Sequence, residues 1–170
     1  LISKEVLEAK TKELAERISR DYKGKDLLVV GVLKGSVIFA SELIKNITIP
    51  CEIDLWQYLV MEVSETTGVV RILKDLDSEI SGKHILIVED IVDSGVTLSY
   101  LLNYLKTRNA SSVEIASLLT KPSRRKVDID CKYVGFETPD EFLVGYGLDY
   151  AEKYRNLPFI GILKREVYEK

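Results

Sequence analysis

One histidine, two cysteines and no long apolar run are what this 170-residue chain conspicuously withholds. His84 opens an apolar strand with no triad partners in pattern, so it is read as structural. Cys51 and Cys131 make no metal-ligand spacing, and the reading is two reduced thiols in a cytosolic protein. No apolar stretch reaches membrane-spanning length, so no membrane partner is expected. No signal-peptide pattern stands at the first residues, which begin at Leu1, and the expected location is the cytoplasm. The net charge of −3 gives no electrostatic reason for general nucleic-acid binding. Neither Gly-x-Gly-x-x-Gly nor Gly-x-x-x-x-Gly-Lys-Ser/Thr occurs, which excludes the two commonest phosphate-loop routes to a nucleotide. Linkers, internal repeats and low-complexity segments are also missing. Apolar residues at 46% and charged residues at 30% then fit one globular domain with a single core.

Periodicity supplies the elements. Ser3 is placed to cap a helix running to about Arg20, with Leu7, Leu14 and Ile18 on one face. Leu27 to Leu33 is a continuous apolar strand, as in a sheet covered on both sides. Ser36 to Lys45 reads as a helix with Val37, Ile38, Leu43 and Ile44 available for burial. Cys51 to Leu73 is β-rich, with a polar interruption at Ser64 to Gly68. Ile85 to Val88 is a buried strand, Leu98 to Arg108 an amphipathic helix with Leu101, Leu102 and Leu105 inward, and Val113 to Leu119 another strand. The alternation argues for an α/β fold of parallel βαβ units. Lys132 to Phe136, Phe142 to Tyr146 and Phe159 to Leu163 are short strands that would form a small flap or extend the sheet. Trp56 reads as packing, and Met61 has no evident role.

In open α/β sheets ligands sit beyond the carboxyl ends of the strands. Three loops qualify: Leu33-Lys34-Gly35-Ser36, Glu89 to Thr97, and Lys121-Pro122. The middle one carries most of the chemistry. Glu89, Asp90 and Asp93 would repel one another if bare, and a divalent cation or a cationic partner would relieve that repulsion. Oxygen ligands of this kind suit Mg²⁺, with substrate phosphate completing the shell. Asp93, at the turn, could instead accept a proton. The hydroxyls and N–H groups of Ser94-Gly95-Val96-Thr97 make an anion nest at a helix start. Alone, an acidic loop after a strand, a lysine beside a proline or a phenylalanine in a strand would each carry no function. Their joint occurrence is what raises the reading.

Val88-Glu89-Asp90-Ile91-Val92-Asp93-Ser94-Gly95-Val96-Thr97 resembles the 5-phosphoribosyl-1-diphosphate motif of type I phosphoribosyltransferases. Gly31-Val32-Leu33-Lys34-Gly35 resembles the diphosphate loop of their hypoxanthine-guanine members. Leu119-Thr120-Lys121-Pro122 is similar to their purine-contacting lysine segment, Val134 to Tyr150 to their base-binding hood, and Tyr154-Arg155-Asn156-Leu157-Pro158 matches as well. The resemblance covers nearly the whole chain. It implies the type I phosphoribosyltransferase fold, a central mostly parallel sheet flanked by helices. The single domain would span 1–170, its hood coming mainly from about 132–170 with a possible N-terminal contribution.

The resemblance also implies roles. Glu89 and Asp90 would hold the ribose hydroxyls and Mg²⁺, and Asp149 a second Mg²⁺. Asp93 would meet purine N7. Ser94, Gly95, Val96 and Thr97 would bind the 5′-phosphate. Leu33, Lys34, Gly35 and Arg155 would bind diphosphate. Lys121 would donate to purine O6, Phe142 would stack on the base, the Leu143 backbone would meet its edge, and the Asp149 carbonyl would meet a 2-amino group. Asp93, Lys121 and Arg155 would be the catalytic set. The implied activity is purine salvage: 5-phosphoribosyl-1-diphosphate and hypoxanthine or guanine would give IMP or GMP and diphosphate, in a homodimer or homotetramer. A non-catalytic or altered nucleotide-binding regulator of the same fold is the alternative.

In that family the peptide before the loop lysine can be cis, a costly state for a non-proline bond; the sequence is silent about Leu33-Lys34. The pattern also breaks once. These enzymes carry an adjacent Ser-Tyr pair in a mobile loop that closes over the diphosphate. Asp54 to Gly68 has none: Tyr58 follows Gln57, and Ser64 precedes Glu65. The segment is also more apolar than a mobile lid should be. An altered lid would change the rate and leave the pocket intact.

Overall fold

Helix α1 spans Lys4–Asp21, and Ser3 caps it by accepting the Val6 N–H at 3.3 Å. Leu7, Leu14 and Ile18 recur on one face and are fully buried. Thr11 and Ser19 share that buried side, and each satisfies its hydroxyl by donating to the carbonyl four residues back. The structure is a computed structural model that describes residues 1–64 and 67–169, without the side chains of 60–64 and 67–69.

Beyond α1 the order is β1 (Leu27–Val32), α2 (Val37–Asn46), β2 (Glu52–Ser64), β3 (Thr67–Lys74), β4 (His84–Val92), α3 (Val96–Thr107) and β5 (Ser112–Thr120). A short 3-10 turn (Pro122–Arg124), β6 (Tyr133–Glu137), β7 (Leu143–Val144), β8 (Gly161–Ile162) and α4 (Arg165–Tyr168) complete it. Six strands form one sheet in the order β3-β2-β1-β4-β5-β6. Every pairing is parallel except β2 with β3. This is the mostly parallel, helix-flanked sheet that the alternation of elements predicts.

Period-two geometry divides each central strand between two cores. Leu27 and Val29 of β1 and Leu86 and Val88 of β4 pack with α1, α2 and the C-terminal segment. Leu28, Val30, Ile85 and Ile87 face the other way, toward α3 and Trp56. Each such aliphatic side chain contributes about 1.5–3 kcal/mol by leaving water. Trp56 is fully buried and stacks on Tyr104 at 6.2 Å between centroids. His84 bonds Ser112 through Nδ1 at 2.7 Å, a structural contact.

Two expectations change in detail. Val37 and Ile38 are exposed, whereas Phe39, Ala40 and Leu43 are buried. The i, i+1, i+4 stripe of α2 is the one that meets the sheet. The tail strands around 143 and 161 are only two residues long each. They pair with each other in a separate small sheet, and Ile2 bridges to Ile160 beside it. The segment read as an altered lid is, where described, an antiparallel ribbon from Gln57↔Lys74 to Ser64↔Thr67. Glu65 and Thr66, at its tip, lie outside the described residues. At its base, buried Asp54 accepts the N–H groups of Leu55, Asp77 and Ser78 and pairs with Lys74 at 3.5 Å.

The β1 strand has β2 on one side and β4 on the other. The sheet therefore reverses its winding between β1 and β4, and the loops after these strands open side by side at the carboxyl edge.

Candidate active site

The loop after β1 is held tightly. The Leu33-Lys34 peptide is cis. The Leu33 N–H donates to Trp56 O at 2.8 Å, and Ser36 Oγ donates to Val32 O at 2.6 Å. Gly35 lies against the Asp90 carboxylate, so closely that any Cβ there would overlap Asp90 Oδ2. On the other side, Gly147 of the C-terminal segment has φ 101° and packs so closely on the Gly35 carbonyl that a Cβ on Gly147 would strike it. Only glycine fits both positions.

The acids at the end of β4 occupy different surroundings. Glu89 is buried and accepts the Tyr58 hydroxyl at 3.1 Å. Its pKa is pushed well above the usual carboxylate value, first by burial and then by the Asp90 charge, against the Tyr58 hydrogen bond. Asp90 is also raised by burial, although the Ile91 N–H, which it accepts at 2.7 Å, and the Arg155 charge both oppose the shift. The same burial and the Glu89 charge push the Tyr58 hydroxyl upward. Asp93 is exposed and caps the Ser94 N–H at 2.7 Å.

Two desolvated carboxylates with raised pKa values fit a divalent cation, which would relieve the cost of ionising both. Among the described residues no three His, Cys, Asp or Glu side chains form a ready-made cage. Glu89, Asp90 and Asp149 therefore do not share one. Asp149 instead accepts the Glu152 N–H at 2.8 Å and lies 3.5 Å from Arg155 Nη2.

Beyond Asp93 the chain turns through Gly95, at φ 81°, into the N-terminus of α3. A cavity of about 160 Å³ opens there, lined by Tyr58, Glu89, Asp93, Ser94, Gly95 and Thr97 among others. Unpaired N–H groups and the helix dipole make this end favourable for an anion. Arg125 braces the turn from below: its guanidinium donates to Asp93 O at 3.1 Å, Ile129 O at 3.2 Å and Thr120 Oγ1 at 2.7 Å.

Lys121 follows β5. Its N–H donates to Val92 O, and its Nζ donates to the Glu141 carbonyl at 2.8 Å. The side chain is only 12% exposed, so it is not a solvated loop lysine. Phe142 departs from the ordinary expectation in the opposite sense, being 36% exposed rather than core. Tyr150 meets its ring edge-on at 5.7 Å, and Tyr168 of α4 lies at 4.9 Å. Leu143 is buried in β7.

Arg155 donates to Gly147 O at 2.7 Å and reaches Glu152 Oε1 at 3.2 Å. Lys34 Nζ reaches the other Glu152 oxygen at 3.1 Å. The Glu152 carboxylate thus bridges two cations from opposite ends of the chain. It does so from a tight turn in which Tyr150 and Lys153 exchange both backbone hydrogen bonds at 3.0 Å. Ala151 and Glu152 sit at φ 52° and 65°, positions that favour Gly or Asn.

Ten of the sequence-predicted residues separate into two groups, while Val96, Lys121, Phe142 and Leu143 fall outside both. Glu89, Asp93, Ser94, Gly95 and Thr97 line one cavity, and Lys34, Gly35, Asp90, Asp149 and Arg155 meet at the β1–β4 crevice beside it. Tyr58, Arg125 and Glu152 were missed. The Tyr58 contact depends on ribbon register, and Arg125 hides among basic residues. Glu152 sits in an Ala-Glu turn with no glycine or asparagine to announce it.

A phosphoribosyl transferase domain model matches residues 3–151. The chain is 50% identical over 175 aligned positions to the hypoxanthine-guanine phosphoribosyltransferase of Bacillus subtilis (strain 168), covering 99% of this chain and 94% of that one. It is 51% identical over 176 positions to the protein of the same name from Staphylococcus epidermidis (strain ATCC 12228), covering 100% and 96%. The crystal structure of a hypoxanthine phosphoribosyltransferase from Staphylococcus aureus superposes with a TM-score of 0.96 at 48% identity, covering 100% of this chain and 93% of that one.

Proposed function

The chain belongs to the phosphoribosyl transferase family, among the hypoxanthine-guanine phosphoribosyltransferases, and from that premise we propose a purine salvage enzyme whose reaction runs through the residues described above. It transfers the 5-phosphoribosyl group from 5-phosphoribosyl-1-diphosphate to N9 of hypoxanthine or guanine, giving IMP or GMP and diphosphate. The observation that carries the residue assignment is the end of β4. Buried Glu89 and half-buried Asp90 are followed at once by a helix N-terminus, and Glu89 and that N-terminus line one cavity.

The bond between ribose C1 and the diphosphate oxygen breaks as the bond from C1 to purine N9 forms. The departing electron pair stays on diphosphate, and the imidazole-ring proton leaves from N7. The Ser94-to-Thr97 turn holds the 5′-phosphate and fixes the sugar. Glu89 and Asp90 hold the ribose hydroxyls. Asp93, exposed at the cavity mouth, takes the N7 proton and passes it to solvent. Lys34, the Gly35 amide and Arg155 stabilise charge as it builds on the diphosphate. Lys121 donates to O6, which favours a 6-oxo base because a 6-amino group there would oppose donor to donor. Phe142 covers the purine plane, and the Leu143 backbone meets its edge.

Glu89 and Asp90 would hold one Mg²⁺, and Asp149 a second, with water and phosphate oxygens as the other ligands. The metal would supply charge neutralisation on the phosphates. The remaining elements of the reading are a single domain with a C-terminal hood, a cytoplasmic location and a homodimer or homotetramer. Exposed Ile53 and Leu55 of β2 and Leu73 of β3 support the oligomer. Among the described residues no helix is long and apolar enough to cross a membrane.

The test is a Mg²⁺-dependent assay that offers hypoxanthine, guanine, xanthine and adenine with 5-phosphoribosyl-1-diphosphate. Nucleotide from the first two bases is expected. No product from any base would overturn the reading.

A further inference from the structure

Glu152 has no part in the chemistry above, yet it contacts both side chains assigned to diphosphate. One carboxylate oxygen lies 3.1 Å from Lys34 Nζ and the other 3.2 Å from Arg155 Nη2. Its backbone conformation, φ 65° beside Ala151 at 52°, is one that a glutamate rarely adopts. Glycine or asparagine would fill the turn with less strain. Strained residues of this kind persist where the surroundings over-determine them. Here the Asp149 carboxylate fixes the Glu152 N–H, and the two cations fix its side chain. The same two cations hold the Glu152 pKa below its ordinary value.

We propose that Glu152 is a built-in competitor for diphosphate, a carboxylate that bridges Lys34 and Arg155 and yields them when diphosphate binds. This deepens the reading of Lys34 and Arg155 as diphosphate ligands, and it rests on that reading. The Lys34 and Glu152 side chains are 57% and 62% exposed, so the bridge between them is a weak surface pair. An anion carrying several charges outcompetes a single carboxylate for the same cations. Between turnovers the bridge keeps the two cations directed at one point. After bond transfer it offers them a replacement partner, which lowers the affinity for the departing product and speeds its release. Glu152 is a positioning residue here and touches none of the reacting atoms.

The experiment is direct titration of diphosphate with Mg²⁺ into wild-type protein and Glu152→Gln, which keeps side-chain length and removes the charge. The variant should bind diphosphate about three- to tenfold more tightly, the scale expected from losing two exposed ion pairs. The gain should shrink in high salt. The KM for 5-phosphoribosyl-1-diphosphate should fall without a rise in kcat, while IMP binding without diphosphate stays unchanged. Glu152→Gly, which suits the turn better, should show the same tightening with no loss of thermal stability. Unchanged or weaker diphosphate binding in both variants overturns the inference while leaving the Lys34 and Arg155 assignment intact. Wild-type protein that binds no diphosphate at all would overturn both.

Discussion

Adding one methyl group at Gly35 tests whether the β1 loop and the β4 acids form one rigid unit. The Ala Cβ would overlap Asp90 Oδ2, and the loop has no room to retreat because Gly147 backs the Gly35 carbonyl. Asp90 must therefore move. It would leave its hydrogen bond from the Ile91 N–H, now 2.7 Å. A charged hydrogen bond of this kind contributes about 1.5–3 kcal/mol. A displaced rotamer adds about 0.5–1.5 kcal/mol of strain. Gly35→Ala should thus destabilise the protein by about 2–4.5 kcal/mol, read as a shift in urea midpoint at constant slope. It should lower kcat/KM by about 100-fold, since the carboxylate proposed to hold the ribose would sit roughly 1 Å out of place. The control is a double-mutant cycle with Asp90→Ala, which removes the obstructing carboxylate. The pair should recover at least about 1 kcal/mol relative to additivity. A Gly35→Ala protein with wild-type stability and turnover would refute the sandwich and the rigidity inferred from it.

Three further outcomes are expected. Asp93→Asn should cut kcat more than it weakens 5-phosphoribosyl-1-diphosphate binding, and an unchanged rate in single-turnover measurements would remove Asp93 from the chemistry. Lys121→Gln should erode discrimination between hypoxanthine and adenine in a competition assay; preserved preference would place selectivity elsewhere. Asp54 is pushed up by burial, yet the N–H groups of Ser78, Leu55 and Asp77, with Lys74, hold it below its ordinary 3.8. Its contribution is therefore present above that pH and lost as pH falls through the lowered folded-state value. Asp54→Asn should destabilise by about 1–3 kcal/mol at neutral pH, with the deficit narrowing in acid, and a pH-independent deficit in urea unfolding would contradict the assignment.

Strands β1, β4 and β5 were legible because burial on both faces leaves an unbroken apolar run, and little else produces one of that length. The acid-and-turn segment from Glu89 to Thr97 was legible because strand, carboxylates and helix start are consecutive in the chain. Whatever depended on pairing distant segments was harder. The face of α2 was misjudged at Val37 and Ile38, since six apolar residues in ten fit two helical stripes and only the sheet selects one. The division of labour among the acids was visible as spacing, but not the burial of Glu89 against exposed Asp93. Tyr58 on Glu89 and Glu152 on Lys34 join residues 31 and 118 positions apart. No local pattern encodes such contacts. Arg125 was missed for a different reason: its three backbone and hydroxyl partners exist only once the turn beneath Asp93 has formed.

The bridge between Ile2 and Ile160, with both N–H groups donating at 3.0 Å, sets an order of events during synthesis. On the ribosome the N-terminal parts of a chain become available first. The strands and helix that surround the Ser94-to-Thr97 turn end at Thr107 and Thr120 and can dock while the rest is still being made. The small sheet beside Phe142 cannot close until residue 160 has emerged to meet residue 2. A polypeptide stalled before that point would carry the cavity at the Ser94-to-Thr97 turn without the small sheet beside Phe142.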